Sequence, residues 1–384
     1  MKIAVYAIAK NEEQFVERFL ESCKDADYII IGDTGSTDGT AAKFFNADLN
    51  DPRIIVHQIH ISPWRFDLAR NAVLALIPAD VEVCISLDLD EVMTPGWRDI
   101  IERQWKPGVT TQLRYQFDWG LGIEFQYEKI HSRRGFRWHH PCHEYPVLDA
   151  RIDPCWAHTP ALLVKHLPDP SKSRGQYMDL LQLSVKEDPH CPRNAFYFAR
   201  ELTFNERWLE AEDALKNYLA LPGAVWANER SYAMRLLGQT YRRLGNVKES
   251  ERWLVSATQE APDTREPWCE LAQHYYFEGR WPESYAAAKR ALAITEMAKV
   301  YTCDPKVWGW WPHDQLTIAA WRIGLFNESL ESAKTALAME KTNPHLRSNY
   351  NMVRKAMLDM GLIKIERKKA TTKKPAVKRK LARR

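Results

Sequence analysis

The chain predicts two halves of different class: an α/β N-terminal domain built on a mixed, largely parallel sheet, followed by an all-α domain of repeated helix pairs. Three observations predict this. Short apolar runs alternate with amphipathic stretches through the first half. Loops rich in Asp, Gly, Ser and Thr follow two of those runs. Beyond about Asn194 the strand signal ends and a 34-residue period begins, seen between Gly238 and Ala272. The boundaries expected are 1–170, 171–361 and a basic tail over 362–384.

Met1 to Ile8 reads as a strand, and Phe15, Val16, Phe19 and Leu20 lie on one face of the helix after it. Tyr28 to Ile31 is a second strand, opening into Gly32-Asp33-Thr34-Gly35-Ser36-Thr37-Asp38-Gly39-Thr40, a loop suited to approaching a ligand by its backbone. Ile54 to Ile59 and the helix Phe66 to Leu76 come next. Val81 to Leu87 is a run without helical spacing, hence a buried strand, and it breaks into Asp88-Leu89-Asp90-Glu91. Carboxylates at i and i+2 leave a strand end on one side, where a hard divalent cation and substrate phosphates can be held together. Taken alone, such a pair is more often a solvated turn. Val109 to Phe117 alternates as a strand with Phe125 to Lys129 beside it, and Ala161 to Lys165 is a last strand closed by His166.

In the second half, Met234-x-x-Leu237-Gly238-x-x-Tyr241 and Trp268-x-x-Leu271-Ala272-x-x-Tyr275 match the tetratricopeptide signature. Gly-x-x-x-Glu-Ser recurs at Gly245, Gly279 and Gly324, the last interval lengthened by an insertion around Cys303 to His313 that carries Trp308, Trp310 and Trp311. A looser copy runs from Ala195 to Pro222, and Asn343-Pro344 opens a closing helix through Met360. Such units stack into a concave surface that holds a partner or simply supports the first domain.

Net charge is +4, but Lys364 to Arg384 alone carries eleven Lys or Arg against one Glu, so the rest of the chain is acidic. Lys172 and Arg174 near His166 add a smaller basic cluster. For the tail, a disordered solvated segment is the common reading and nucleic acid the sharper one. No apolar run is long enough to span a bilayer. Seven scattered cysteines without Cys-x-x-Cys predict reduced thiols and a cytoplasmic protein. His139-His140-Pro141-Cys142-His143 lacks a second ligand pair at zinc-site spacing, so zinc is not expected.

Ala9-Lys10-Asn11-Glu12, the Asp33 to Thr40 loop, Arg70-Asn71 and Leu87-Asp88-Leu89-Asp90-Glu91 together resemble, in order and spacing, the family-two glycosyltransferases of GT-A fold. The helical half makes the chain similar to the SunS-like branch with a tetratricopeptide extension. The resemblance implies a Rossmann-like nucleotide-sugar domain, a nucleotide-sugar donor such as a UDP-sugar, Mn²⁺ or Mg²⁺, and inverting transfer of a hexose. It assigns Asp33, with Thr34 beside it, to the nucleoside and Arg70 to the base and phosphates. Asp88 and Asp90 become the Asp-x-Asp, with Asp90 the more direct metal ligand and His166 a further one. A His-Glu pair recurs in that branch, which makes Glu144 the expected general base. Plainer roles stand beside these: Arg70 as a solvated charge or partner of Asp67, His143 and Glu144 as structural partners, His166 as a capped surface residue, and Trp64, Trp119 and Trp138 as core. The acceptor expected is a polypeptide, glycan or other macromolecule, with homo-oligomerisation through the repeats. The alternatives are a repeat-based scaffold with a degenerate transferase site, and a DNA-modifying glycosyltransferase that uses the tail.

Overall fold

A computed structural model describes residues 1–169 and 177–364. The strands β1 (Ile3–Ala9), β2 (Tyr28–Asp33), β3 (Ile54–Gln58), β4 (Val83–Ser86), β5 (Glu91–Met93), β6 (Gln112–Gly120), β7 (Ile123–Ser132) and β10 (Trp156–His166) form one eight-stranded sheet in the order β3-β2-β1-β4-β7-β6-β10-β5. The β3-β2-β1-β4 half is parallel, and β7 reverses against both β4 and β6. β10 runs parallel to β6 and antiparallel to β5. β8 (Phe136–His139) and β9 (Tyr145–Leu148) make a separate hairpin.

Why β1 reads as an unbroken apolar run is plain from its two faces. Ile3, Val5 and Ala7 pack into a core with α1 (Val16–Cys23), α2 (Thr40–Asn50) and α4 (Trp97–Gln104). Ala4 and Tyr6 pack on the opposite face with Val73 and Leu74 of α3 (Phe66–Leu76) and with Trp138. Both faces are covered, so no position can be polar without a partner. At Gly32 there is no room for a Cβ, which would lie 2.4 Å from Val73 Cγ2.

The helical half begins with α5 (Tyr177–Glu187) and continues as the pairs α6 (Pro192–Phe204) with α7 (Trp208–Ala220), α8 (Ala227–Arg243) with α9 (Val247–Glu260), and α10 (Arg265–Phe277) with α11 (Trp281–Ala293). α12 (Pro305–Trp308) lies in the insertion, α13 (Trp311–Arg322) pairs with α14 (Phe326–Met339), and α15 (Pro344–Asp359) closes the array. Gly245, Gly279 and Gly324 turn each pair with φ between +69° and +82°, a conformation only glycine adopts without cost. Glu206 takes the same place between α6 and α7 at φ +57°, which is why that first copy is loose in sequence. The recurring serine is buried each time: Ser284 donates to the Ala272 carbonyl at 2.9 Å and Ser329 to that of Thr317 at 2.7 Å. In the insertion, Arg265 lies 4.0 Å from the Trp308 ring and Trp311 Nε1 donates to Gln273, so these tryptophans fill the gap between repeats.

The two halves share a core. Cys142 of the β8–β9 turn is buried among Leu181, Phe196 and Tyr218, with Trp64 and Phe66 packed against the same cluster. Tyr301, from the insertion, meets Phe125 of β7 and donates to Glu229.

Candidate active site

The carboxyl ends of β1, β2 and β4 lie side by side, and the acidic loops leave from them. Asp33 ends β2 almost fully buried and is held by its own loop. Ser36 donates to it from Oγ at 2.5 Å, and the Gly35 amide from 3.2 Å. Gly35 at φ +97° permits that turn. Thr34 points its hydroxyl at the Ala9 carbonyl, 3.1 Å away. The Asn11 side chain, beyond the β1 end, accepts from the Thr37 amide at 2.7 Å, and the Asn11 backbone amide donates to Ser36 Oγ. The first two motifs are thus one hydrogen-bonded platform.

Beyond β4 stands a buried charge network. Arg70 of α3 donates Nε to Glu144 at 2.5 Å, Nη1 to Ser86 at 3.1 Å and Nη2 to Asp88 at 2.7 Å, with its guanidinium 4.8 Å from the Trp138 ring. Lys129 of β7 donates to Asp88 at 2.6 Å and to Glu91 at 2.9 Å. Glu91 also accepts from the Asp88 amide. Arg70 therefore does not pair with Asp67, which is bound by Arg65 instead. Asn71, adjacent in the motif, exchanges two hydrogen bonds with the Trp138 backbone and so ties α3 to β8.

The network holds two cations against three carboxylates, and its titration follows from that count. Burial works against an ionised Asp88, but Arg70 and Lys129 outweigh it and hold the carboxyl well below the usual range. Burial pushes Glu91 up to about 7, Lys129 opposing and the Asp88 charge adding to the rise. Lys129 stays charged, since Asp88 and Glu91 override its desolvation.

Asp90 leaves this network. Its Oδ2 lies 3.3 Å from His166 Nε2, because β5 pairs with β10 in the register Glu91 to His166. Trp119, 44 % exposed, covers the His166 ring at a centroid distance of 4.5 Å. His166 Nδ1 is buried without a partner. The structure thus joins Asp90 to His166, and Asp88 to Arg70 and Glu144. Among the described residues Asp88, Asp90 and His166 do not converge as three ligand atoms within 4.8 Å. Trp138 is core, its Nε1 donating to Tyr6 at 2.8 Å.

Three features escaped the sequence. Lys129 sits in ordinary alternation and carries no motif, and Glu91, although part of the Asp88 to Glu91 motif, gives no sign of its pairing with Lys129. The third is a cluster: His140 lies with Asp188 and Cys191, their ligand atoms all within 4.8 Å of one another, an arrangement that could hold a metal ion. The second ligand pair comes from a segment some fifty residues away, which spacing within the His-rich stretch cannot reveal. Lys172, Arg174 and the tail from residue 365 lie outside the described residues.

The family model for glycosyl transferase family 2 matches residues 5–150. No curated protein matches the chain. Among solved structures, the Cut9-Hcn1 hetero-tetramer of the APC/C is similar at 14% identity and TM-score 0.40, over 49% of this chain and 34% of that one. A thermophilic TPR protein of Thermus thermophilus gives 19% identity and TM-score 0.33, over 47% of this chain and 91% of that one. YrrB, described as a TPR protein with an unusual peptide-binding site, gives 13% and 0.38, over 47% and 84%. At such TM-scores these neighbours add nothing to the repeat architecture, which rests on the 34-residue period, the turn glycines and the paired helices. Residues 5–150 thus form a domain that matches the glycosyl transferase family 2 model, and the chain continues as a tetratricopeptide-repeat array.

Proposed function

We propose that the chain is a cytoplasmic hexosyltransferase that moves a sugar from a nucleoside diphosphate, uridine diphosphate foremost, to a macromolecular acceptor with inversion. One observation carries the reading: the Asp33 loop and the Asp88-x-Asp90 loop leave the carboxyl ends of β2 and β4, which flank β1. Two interstrand spacings, about 10 Å, separate such loops, a span suited to a nucleoside at one and its pyrophosphate at the other. Asp33 and Thr34 then face the nucleoside, and Arg70 and Asp88 the phosphates.

A divalent cation fits Asp90 and His166 better than it fits Asp88. Their ligand atoms are 3.3 Å apart, while both Asp88 oxygens are taken by Arg70 and Lys129. Mn²⁺ or Mg²⁺ bound there would neutralise charge on the departing diphosphate. Arg70, fixed by Glu144, Ser86 and Asp88, is preorganised to share that task. Glu144, whose one oxygen is given to Arg70, is the base in this reading and orients the acceptor group. Seven free cysteines support the cytoplasmic assignment, and no described helix is long and apolar enough to cross a membrane. A polypeptide acceptor lying along the repeats accounts for the helical half.

The experiment is release of nucleoside diphosphate from a panel of nucleotide sugars with Mn²⁺, alongside calorimetric binding of UDP. Wild type should bind UDP with Mn²⁺, and Asp90→Asn should weaken Mn²⁺-dependent binding about tenfold or more. Equal binding by the two proteins, or none by wild type, overturns the assignment.

A further inference from the structure

A second group of metal-type ligands lies away from the Asp88 network. His140 sits in the turn between β8 and β9, in the left-handed conformation at φ +79°. Asp188 and Cys191 come from the short connection between α5 and α6. Cys191 Sγ is 3.8 Å from His140 Nε2, close to the separation of two ligands on a tetrahedral zinc. The Asp188 carboxylate completes the group.

We propose that His140, Asp188 and Cys191 bind one zinc ion, which fastens the catalytic half to the first helices of the array. Thiolate, imidazole and carboxylate together are a borderline-soft set that favours zinc over the hard cations expected at Asp90. Asn194, only 2 % exposed, sets its side-chain Nδ2 3.0 Å from His140 Nδ1 and so holds the ring with Nε2 towards Cys191, while zinc ligation through Nε2 requires the amide to be flipped. With its oxygen turned to the ring, Asn194 accepts Nδ1–H and leaves the Nε2 lone pair to the metal. That turn surrenders a 3.2 Å bond to the Ser184 carbonyl, which the Asp188 amide also occupies. Binding displaces the Cys191 thiol proton to solvent. A cleft of about 400 Å³, lined by Asn71, Arg137, His139, His140 and Asp188 among others, opens onto two of the three ligands.

Location gives the site its consequence. The turn from His140 to Glu144 is already gripped by both halves: the Pro141 carbonyl accepts from the Phe66 amide, and that of His143 from Arg193 Nε. The His143 ring stacks on Tyr197 at 3.8 Å. Zinc would lock the same turn at its first residue.

The test uses the full chain in an Asp90→Asn background, so that the Asp90 site contributes no metal. Zinc per chain is measured by mass spectrometry after gel filtration, and cobalt(II) uptake by absorption. The expected result is one zinc per chain and, with cobalt, a near-ultraviolet thiolate charge-transfer band with tetrahedral d–d bands. Cys191→Ser should abolish the charge-transfer band. Asp188→Asn, at an exposed position that leaves folding intact, and Asn194→Leu should each weaken zinc binding about 10- to 100-fold. Cobalt spectra that lack the thiolate band in the Cys191 protein, or zinc affinity unchanged in Asp188→Asn, would overturn the proposal.

Discussion

Replacing Lys129 with Met removes the ammonium that faces both Asp88 and Glu91, at 2.6 and 2.9 Å, while keeping the length of its stem. Taking one partner from a buried ion pair costs about 3–5 kcal/mol when the charge left behind stays ionised. Here the cost must depend on pH. Glu91 is pushed up to about 7 from an ordinary 4.5, by burial first and by Asp88 as well, against Lys129. The folded protein therefore holds an extra proton between those values, and stability falls as pH rises through that window and levels off above it. Without Lys129 the folded value climbs further, and the decline continues beyond pH 7 at about 1.4 kcal/mol per unit. The gap between wild type and Lys129→Met should be smallest near pH 6 and wider by about 1–2 kcal/mol at pH 8. Urea unfolding followed by far-ultraviolet circular dichroism at both pH values measures it. Adding Glu91→Gln should cancel the widening, since the neutral amide has no proton to hold. A gap that is constant or narrows with pH refutes the charge count on which this rests.

Burial drives His131 down to about 4, so its contribution is complete above pH 6.5 and lost as pH falls from 6.5 towards 4. His131→Gln should flatten the acid limb of the unfolding free energy against pH by up to about 3 kcal/mol, and an unaltered slope would exclude this histidine as its source. Glu206→Gly should raise the urea midpoint by about 0.5–1 kcal/mol in stability, since φ +57° is strained for glutamate, whereas Gly245→Ala should lower it by about 1–2 kcal/mol. Opposite signs or no change in either would show that the turn conformation is not what these positions select. A Cβ at Gly238 would lie 2.6 Å from Leu254 Cγ, so Gly238→Ala should cost about 1–3 kcal/mol, part of it recovered in the double variant with Leu254→Ala. Additive losses in that pair would contradict the clash.

Much of the frame was legible because burial on two faces leaves a coarse trace: β1, β2 and β4 read as unbroken apolar runs for that reason. The repeats were legible because each pair needs the same turn, and glycine is the cheapest way to make it. β5 was not, being three residues that exist only because β10 offers an edge. β6 begins at Gln112 rather than Val109, since the residues before it turn back through the Lys106 carbonyl. Asp33 and His166 end β2 and β10, Asp88 and Asp90 follow β4, Arg70 lies within α3, and Glu144 lies in the turn before β9. What no pattern could give is who holds whom. The sequence offered Asp67 to Arg70, and the fold gave it Glu144 and Asp88 instead. Lys129 was invisible, because one lysine in an alternating strand looks solvent-facing until the register puts it opposite two acids.

The cluster in which Cys142, Trp64 and Phe66 pack with α5 to α8 also bears on how the molecule can be divided. A cut at the start of α5 would strip a wall from the sheet-bearing half and leave its Glu144 segment untethered, so the two modules of the chain are not separable cassettes. Any exchange of repeats should keep the first two helical hairpins with the sheet and replace only the helices from α10 onward.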